Sequence, residues 1–268
     1  IGIDFIFGEP DSLSLAAMAA RIYDASELDV REALRELSNT KGVEIDNDAV
    51  LGRELGRENV VTAVWLENGD ALVSDAPELP VPQSVIRATP RAPESPFPVA
   101  ARGDLPHEAL LERVGAVGFV NALHDSDGTI RRWPLLYAYG RQLIPSLSLA
   151  TVMAARGVDS IAVRVDDAGV RSAAVGEMAI PTDHQGNMLI PYRQPYADQF
   201  TMVSAAEVLT HEVDPARFRD AVVLVGTTVT ALKDTSPVPY ARNMAGIQIH
   251  GLATAAMLAV DFLRPPPF

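Results

Sequence analysis

Two acidic residues before a glycine are the first candidates for chemistry in this chain of 268 residues. Asp125 and Asp127 precede Gly128, and closely spaced carboxylates at a glycine turn can wrap a hard divalent cation. An EF-hand loop with Gly128 at its sixth position would begin at Leu123 and end at Pro134, and neither supplies a carboxylate. The pattern favours an Asp–Gly turn whose side chains bond the backbone. The alternative is a metal-dependent enzyme that acts on a nucleotide or a sugar.

A second candidate follows the short apolar run from Ala221 to Val225. Gly226, Thr227 and Thr228 would place hydroxyl and free N–H groups just past a buried strand, where open α/β sheets bind their ligands. The chain has no Gly-x-x-x-x-Gly-Lys-Ser/Thr loop and no Gly-x-Gly-x-x-Gly fingerprint. The usual signatures of ATP hydrolysis and of dinucleotide redox chemistry are therefore missing.

Asp4 stands out because it interrupts an otherwise apolar opening run, Ile1 to Phe7. An aspartate is rarely buried unless it is paired. We expect Lys233, Arg131 or Arg132 to be its partner, and an ion pair and a ligand contact are both open at this point.

The five histidines give no metal-ligand spacing, so we expect neither a zinc site nor any other metal or cofactor. His250 lies among apolar residues and is predicted to be a core histidine with its hydrogen bonds satisfied. His124 stands beside Asp125, and a solvated surface pair is expected there. No Gly-x-Ser-x-Gly elbow supports an α/β-hydrolase.

Composition excludes several classes of function. The formal net charge of −13 and the pI near 4.8 disfavour binding to nucleic acid or to anionic lipid headgroups. The absence of cysteine removes disulfides, thiolate metal sites and cysteine nucleophiles. No apolar stretch has the length of a membrane span; the longest, Leu252 to Leu263, contains Asp261.

The order of the predicted elements indicates an α/β fold in a single domain, with a mostly parallel sheet, flanking helices and an antiparallel extension. The segment from about 67 to 106 is rich in proline and is predicted to be an inserted loop. Predicted strands lie at Asn59–Leu66, Val114–Asn121, Ile161–Val165, Val170–Ala174, Met188–Ile190 and Ala221–Val225. Predicted helices lie at Ser12–Tyr23, Asp29–Leu37, Asn47–Gly56, Ile144–Ala155, Thr201–Leu209 and Gly246–Leu263.

Several short motifs in a fixed order resemble the CHASE2 domain, and together they span nearly the whole chain. The motifs are Ile3-Asp4-Phe5-Ile6-Phe7 with Glu9-Pro10, then Gly118, Asn121, Asp125, Asp127, Gly128 and Arg131, then Pro145 to Leu149, then Phe200, Val203, Ser204 and Ala205, then Val223 to Thr228, Leu232 and Asp234, and last Gly246-Ile247-Gln248-Ile249-His250. Each motif is weak alone, but their conserved order makes the match specific. The family's opening strand and helix, ahead of Ile1, are missing, so we expect a fragment of a longer protein.

The resemblance implies an extracytoplasmic sensory domain of a bacterial membrane receptor, in the periplasm or on the outer surface. Membrane helices outside this chain would tether it, and a cytoplasmic nucleotide cyclase, histidine kinase, Ser/Thr kinase or diguanylate cyclase would be the output. The implied full-length receptor is a homodimer, and its signal is an unknown small molecule or a condition of the cell envelope.

We therefore predict a sensory input domain that is not itself an enzyme. The hypothesis for its ligand-binding residues is a polar rim at the strand ends, formed by Asp4, Glu9, Asn121, Asp127, Arg131, Thr227, Thr228 and Asp234. A purely structural or dimerisation module with no small-molecule site is the third possibility.

Overall fold

A mostly parallel sheet lies at the centre of the protein in a computed structural model that describes residues 1–4, 47–57, 59–70, 73, 75–88, 96–193, 200–229 and 234–264. The α/β prediction, with flanking helices and an antiparallel extension, is confirmed. The strands are β1 (Gly2–Ile3), β2 (Val61–Asn68), β3 (Gln83–Ala88), β4 (Ala100–Asp104), β5 (Val117–Phe119), β6 (Arg132–Pro134), β7 (Leu136–Tyr139), β8 (Gln142–Pro145), β9 (Ser160–Asp166), β10 (Gly169–Val175), β11 (Met178–Ile180), β12 (Asn187–Leu189), β13 (Leu224–Val225), β14 (Thr235–Val238) and β15 (Ala241–Ala245). The α-helices are α1 (Asn47–Leu55), α2 (Glu108–Leu111), α3 (Leu147–Arg156), α4 (Ala205–Leu209) and α5 (Gly246–Ala259).

The central sheet contains β13, β1, β2, β5 and β4. Strand β1 pairs in parallel with β13 on one side and with β2 on the other, and β5 also runs parallel to β2. Strand β4 pairs with the second half of β2 in the antiparallel direction. The first four residues of β2, Val61 to Val64, are all buried, as expected for a parallel strand that is covered on both faces.

Helix α3 packs closely on one face of this sheet because Gly118 has no side chain. A Cβ at Gly118 would lie 2.6 Å from the Cα of Leu147. Ser146 caps the helix by accepting a hydrogen bond from the N–H of Leu149 at 3.3 Å. Gly157 ends it in the left-handed conformation, with φ of 62°.

Helix α5 closes the fold and packs against α3 and β13. Its sequence is apolar nearly all the way round, which fits a helix that is covered on several sides. The side chain of Gln248 accepts a hydrogen bond from the N–H of Ala245 at 3.2 Å, which satisfies a main-chain donor at the start of the helix. The helix ends at Val260, which has a positive φ of 53°.

A second sheet, in the order β11–β10–β9–β3, is the antiparallel extension. Strands β9, β10 and β11 form hairpins with buried residues on one face, such as Ile161, Val163 and Val165. These valines and isoleucines join the largest apolar cluster among the described residues, together with Trp133 and residues of α3 and α5. Burial of this shared core holds the two sheets together.

Several predictions of local structure are wrong. The helix predicted at Thr201–Leu209 begins at Ala205, and the helix predicted to reach Leu263 ends at Ala259. The segment 67–106 is not one continuous loop, because β3 pairs in parallel with β9 and β4 pairs with β2. Neither strand contains a long apolar run, so the sequence did not indicate them. Helix α3 begins at Leu147 rather than Ile144, because Ile144 and Pro145 pair with β7. The helices predicted at Ser12–Tyr23 and Asp29–Leu37 lie outside the described residues.

Candidate functional site

The carboxyl ends of β1 and β13 lie side by side at one edge of the central sheet. The N–H of Asp4 donates to the carbonyl oxygen of Val225 at 2.8 Å, so pairing continues one residue past β1. Helix α5 begins at the same edge, since a Cβ at Gly226 would lie 2.6 Å from the side chain of Ile247. Parallel strand ends beside a helix N-terminus are where open α/β sheets bind ligands.

Asp4 is a partly buried carboxyl with a raised pKa at this edge. Burial is the main cause and the nearby charge of Asp234 is the second, and together they raise the pKa of Asp4 to about 6. In the described part of the chain no side chain donates a hydrogen bond to the Asp4 carboxyl. Of the expected partners, Arg131 and Arg132 bond to other carboxylates, and Lys233 lies outside the described residues.

Asp234 lies against the first residue of helix α5. A Cβ at Gly246 would lie 2.6 Å from Asp234 Oδ1 and 2.8 Å from Oδ2, so the glycine makes room for the carboxylate. The N–H of Gly246 also donates to the main-chain oxygen of Asp234 at 3.1 Å. Partial burial raises the pKa of Asp234, and a hydrogen bond from the Gly246 main chain opposes that rise. A carboxylate is electrostatically favoured at a helix N-terminus.

Thr227 and Thr228 follow β13 at the same edge, as predicted. Thr227 Oγ1 accepts a hydrogen bond from the N–H of Val229 at 3.2 Å, which fixes the main chain just after β13. Thr228 is exposed. Both hydroxyls lie in the segment that follows the partner strand of Asp4, so they belong to the same edge.

Asn121 is buried and bridges β5 to β2. Its Oδ1 accepts from the N–H of Leu66 at 2.9 Å and its Nδ2 donates to the oxygen of the same residue at 2.5 Å. The side chain thereby replaces a neighbouring strand where β5 has ended. The structure gives Asn121 a role in holding the sheet together.

Asp127 and Arg131 bond to each other on a turn. Arg131 donates to both oxygens of Asp127, at 2.9 and 2.8 Å, and to Asp125 Oδ2 at 2.9 Å. Asp127 Oδ1 also accepts from the N–H of Thr129 at 3.0 Å, as expected for an Asp–Gly turn. The hydrogen bond from Arg131 holds the pKa of Asp127 well below its usual range. Glu9, the remaining predicted site residue, lies outside the described residues.

The two histidines with predicted roles, His250 and His124, lie in different surroundings. His250 is buried, its Nδ1 lies 2.9 Å from Ser148 Oγ, and its ring meets the edge of Trp133 at a centroid distance of 4.7 Å. Burial lowers the pKa of His250 to about 3, so the ring is neutral. The prediction of a satisfied core histidine is confirmed. The Nε2 atom of His124 lies 3.2 Å from Ser236 Oγ at the surface.

Sequence reasoning missed two residues at the open end of the sheet, Trp65 and Asp104. Trp65 belongs to a predicted strand, but nothing in the sequence indicated that it would be 41 % exposed. Asp104 lies in the segment predicted to be a loop, and it pairs in register with Trp65. An acidic residue that follows a glycine is typical of a loop. The position of Asp104 beside Trp65 therefore becomes visible only from the pairing of β4 with β2.

No three residues of His, Cys, Asp and Glu type come together as a metal-binding group within the ranges that the structure describes. Over those same ranges, no helix has both the length and the apolar character needed to cross a bilayer.

Comparisons with known proteins give one match. The family model of the CHASE2 domain matches residues 1–268. Neither the curated proteins nor the solved structures contain a match. The chain therefore belongs to the CHASE2 family, whose members are extracytoplasmic sensory domains of signalling receptors.

Proposed function

We propose that this chain is the input domain of a membrane-bound receptor and that it binds its signal at the carboxyl edge of the central sheet. The output would be an adenylate or guanylate cyclase or a histidine kinase. Membrane helices outside this chain would hold the domain in the periplasm or on the outer surface, and the receptor would be a homodimer. The chain itself would not be catalytic.

The observation that carries this proposal is the pair of carboxyls Asp4 and Asp234. They lie close enough for the charge of Asp234 to raise the pKa of Asp4, and the described residues offer Asp4 no cation. Burial of an uncompensated carboxyl costs free energy, so such groups are typical of functional sites. A ligand that compensates this charge would stabilise the arrangement that it binds.

Helix α5 would carry the response, because its first residue contacts Asp234. A ligand shifts such an equilibrium only by its different affinity for the two arrangements. We propose Asp4, Asp234, Thr227 and Thr228 as the core of the site. Asn121, Asp127, Arg131 and Glu9 stay predictions; the first three form hydrogen bonds inside the protein.

The metal-dependent enzyme gains no support from the geometry. Both Asp125 and Asp127 accept hydrogen bonds from Arg131, and Asp125 also accepts one from Arg132 at 3.0 Å. A divalent ion would have to displace these guanidinium groups before it could use the carboxylate oxygens.

The proposal is tested by the variants Asp4→Asn and Asp234→Asn in the full-length receptor. Asp234→Asn removes a charge beside α5, and Asp4→Asn removes the carboxyl that this charge acts on. We therefore expect basal output of second messenger or phosphate to change by about fivefold or more, the lower end of coupling between sites. The matched control is Asp166→Asn. Asp166 is an acidic residue on a hairpin of the second sheet, where it accepts a hydrogen bond from Arg171.

Thermal unfolding of the purified variants separates a signalling defect from a folding defect. If both edge variants melt cooperatively and leave output at the level of Asp166→Asn, the carboxyl edge is not the input site.

A further inference from the structure

Trp65 lies uncovered on the face of the central sheet that carries helix α3. Side chains alternate along a strand, so Trp65 lies on the same face as Val61, which packs against α3. The helix begins at Leu147, directly over Gly118. Gly118 pairs in register with Ala63, which is two residues before Trp65 on the same face of β2. Helix α3 therefore begins beside Ala63 and does not reach Trp65. This position explains why the indole is exposed.

Strands β4 and β1 lie end to end along the same edge of β2. The N–H and C=O of Leu66 both bond to Asn121, on the β5 side. Adjacent residues of a strand turn their peptide groups to opposite edges, so those of Trp65 point away from β5. The N–H of Val61, which shares that direction, donates to the oxygen of Ile1 at 2.8 Å. Strand β4 therefore pairs with the same edge of β2 as β1 does, beyond the point where β1 ends.

This arrangement brings two carboxyls to the indole. Asp104 lies opposite Trp65, which puts their Cβ atoms about 5 Å apart. The register of β1 puts Asp4 opposite Ala63, so the Cα atoms of Asp4 and Asp104 lie about 7 Å apart along the edge. Asp4 shares the face of Trp65, because it is two residues from Gly2, which abuts α3.

Among the described residues, no cationic side chain pairs with Asp4 or Asp104 on this face. The next cross-strand pair on the same face, Glu67 and Arg102, forms an ion pair at 3.1 Å. Asp104 has no hydrogen bond or ion pair to its side chain from any residue that the structure describes. The whole protein has a formal net charge of −13, which attracts cations over a longer range.

We propose that Trp65, Asp104 and Asp4 bind a small organic cation, an ammonium group with an apolar body. The cation would stack on the exposed indole while the two carboxyls neutralise its charge, and its apolar part would cover the end of the sheet. This inference rests on the proposed sensory function and names the ligand class for that same edge.

Charge complementarity selects this occupant. A neutral ligand would leave both carboxyls without a partner, and an anion would be repelled. A divalent metal needs several oxygens at about 2.3 to 2.6 Å from one ion, which two carboxyls on a flat sheet edge do not supply. The indole contributes to binding only when the cation is organic and poorly hydrated.

Tryptophan fluorescence tests the proposal on the purified chain. The only other tryptophan, Trp133, is 1 % exposed, so a change at the surface reports on Trp65. The probes are tetramethylammonium, choline, putrescine and phenethylammonium. The matched neutral control is 3,3-dimethylbutanol, which has the shape of choline without its charge. We expect at least one cation to perturb Trp65 and to bind tenfold or more tightly than the neutral control.

The variants Trp65→Leu and Asp104→Asn locate the binding. We expect Trp65→Leu to weaken the cation by about 5- to 30-fold, as measured by calorimetry, since the indole face is lost. Asp104→Asn should weaken the cation and leave the weak binding of the neutral control unchanged. Asp166→Asn, which removes a paired carboxylate on a hairpin of the second sheet, is the control and should have no effect.

Three results would overturn this assignment: no cation of the panel perturbs Trp65, the neutral analogue binds equally well, or only Mg²⁺, Ca²⁺ or a lysine-rich peptide changes the fluorescence. Failure here leaves the sensory role intact if Asp4→Asn and Asp234→Asn still alter receptor output. If those variants leave output unchanged, the sensory site itself fails, whatever the cations do.

Discussion

The molecule has two groups of acidic side chains that look alike in sequence and differ in their surroundings. The turn group, Asp125 and Asp127, receives hydrogen bonds from Arg131 and from the backbone. In the edge group, Asp4 is partly buried and Asp234 is exposed, and neither meets a cation within the described residues. The pKa of Asp127 is accordingly lowered and that of Asp4 is raised.

This difference separates a structural role from a binding role. A protein normally pairs a carboxylate that it removes from water, as the turn group illustrates. Where the pairing is missing, the fold retains a free-energy cost that a ligand could relieve. The acidic motif that was easier to recognise in the sequence, Asp125 and Asp127, is thus the one whose carboxylates are less available to a ligand.

The largest expected effect comes from Asp4→Asn. The folded protein binds a proton at Asp4 more tightly than the unfolded chain does, so its stability falls as pH rises from about 4 to 6. At pH 7.5 the ionised carboxyl therefore costs about 2 kcal/mol, allowing for partial screening by solvent. We expect Asp4→Asn to raise the free energy of unfolding by about that amount at pH 7.5 and to change it little at pH 4.

Urea denaturation at both pH values checks this prediction. Asp166→Asn again serves as the control, because the pKa of Asp166 is lowered by its bond to Arg171. A loss of stability at pH 7.5 in Asp4→Asn would mean that the carboxylate has a compensating partner, and the contrast between the two groups would collapse.

Arg131→Gln should have a smaller effect with the opposite dependence on pH. The pKa of Asp127 is lowered in the folded protein, so its contribution is present above the pKa of the unfolded chain and is lost as pH falls. We expect Arg131→Gln to lower stability at pH 7 and to differ less from the native protein in acid. The effect is modest because the ion pair is exposed and Arg132 still bonds to Asp125.

Denaturation midpoints at low and high salt test this explanation. Salt should reduce the difference between Arg131→Gln and the native protein, since it screens exposed charges. A difference that is independent of both salt and pH would point to lost packing of the arginine stem instead.

The pattern of apolar residues was sufficient to predict the buried elements of the fold. The buried strand β2, the closing helix α5 and the core position of His250 all follow from runs or spacings of apolar residues. The resemblance to CHASE2 was also readable, because it depends on short motifs in a fixed order.

What the sequence could not give is the set of contacts between distant segments. Strand β4 has a polar sequence and exists because it pairs with β2, so Asp104 was assigned to a loop. From the sequence, Arg131 was expected to bind a ligand or to pair with Asp4. Only the folded turn brings it to Asp127. The exposure of Trp65 depends on where α3 begins, which no local pattern specifies.

Gly246→Ala gives the smallest and most specific test of the edge group. The new methyl would lie 2.6 Å from Asp234 Oδ1, at the end of a short side chain that can rotate away. Stability should change by less than about 1 kcal/mol, since alanine also favours the helix. The carboxylate of Asp234 would move away from Asp4, so the pKa of Asp4 should fall from about 6 toward its usual range. NMR titration of the Asp4 carboxyl measures this shift.

The matched control for that substitution is Gly118→Ala, where the methyl would meet the main chain of Leu147 at 2.6 Å and cannot be avoided by a rotation. We expect Gly118→Ala to cost about 1 to 3 kcal/mol through overpacking. An unchanged pKa of Asp4 in Gly246→Ala would mean that burial alone raises it and that the two carboxyls do not act together. The ligand site would then include Asp4 and its neighbours on β2 and β4, and would not include Asp234.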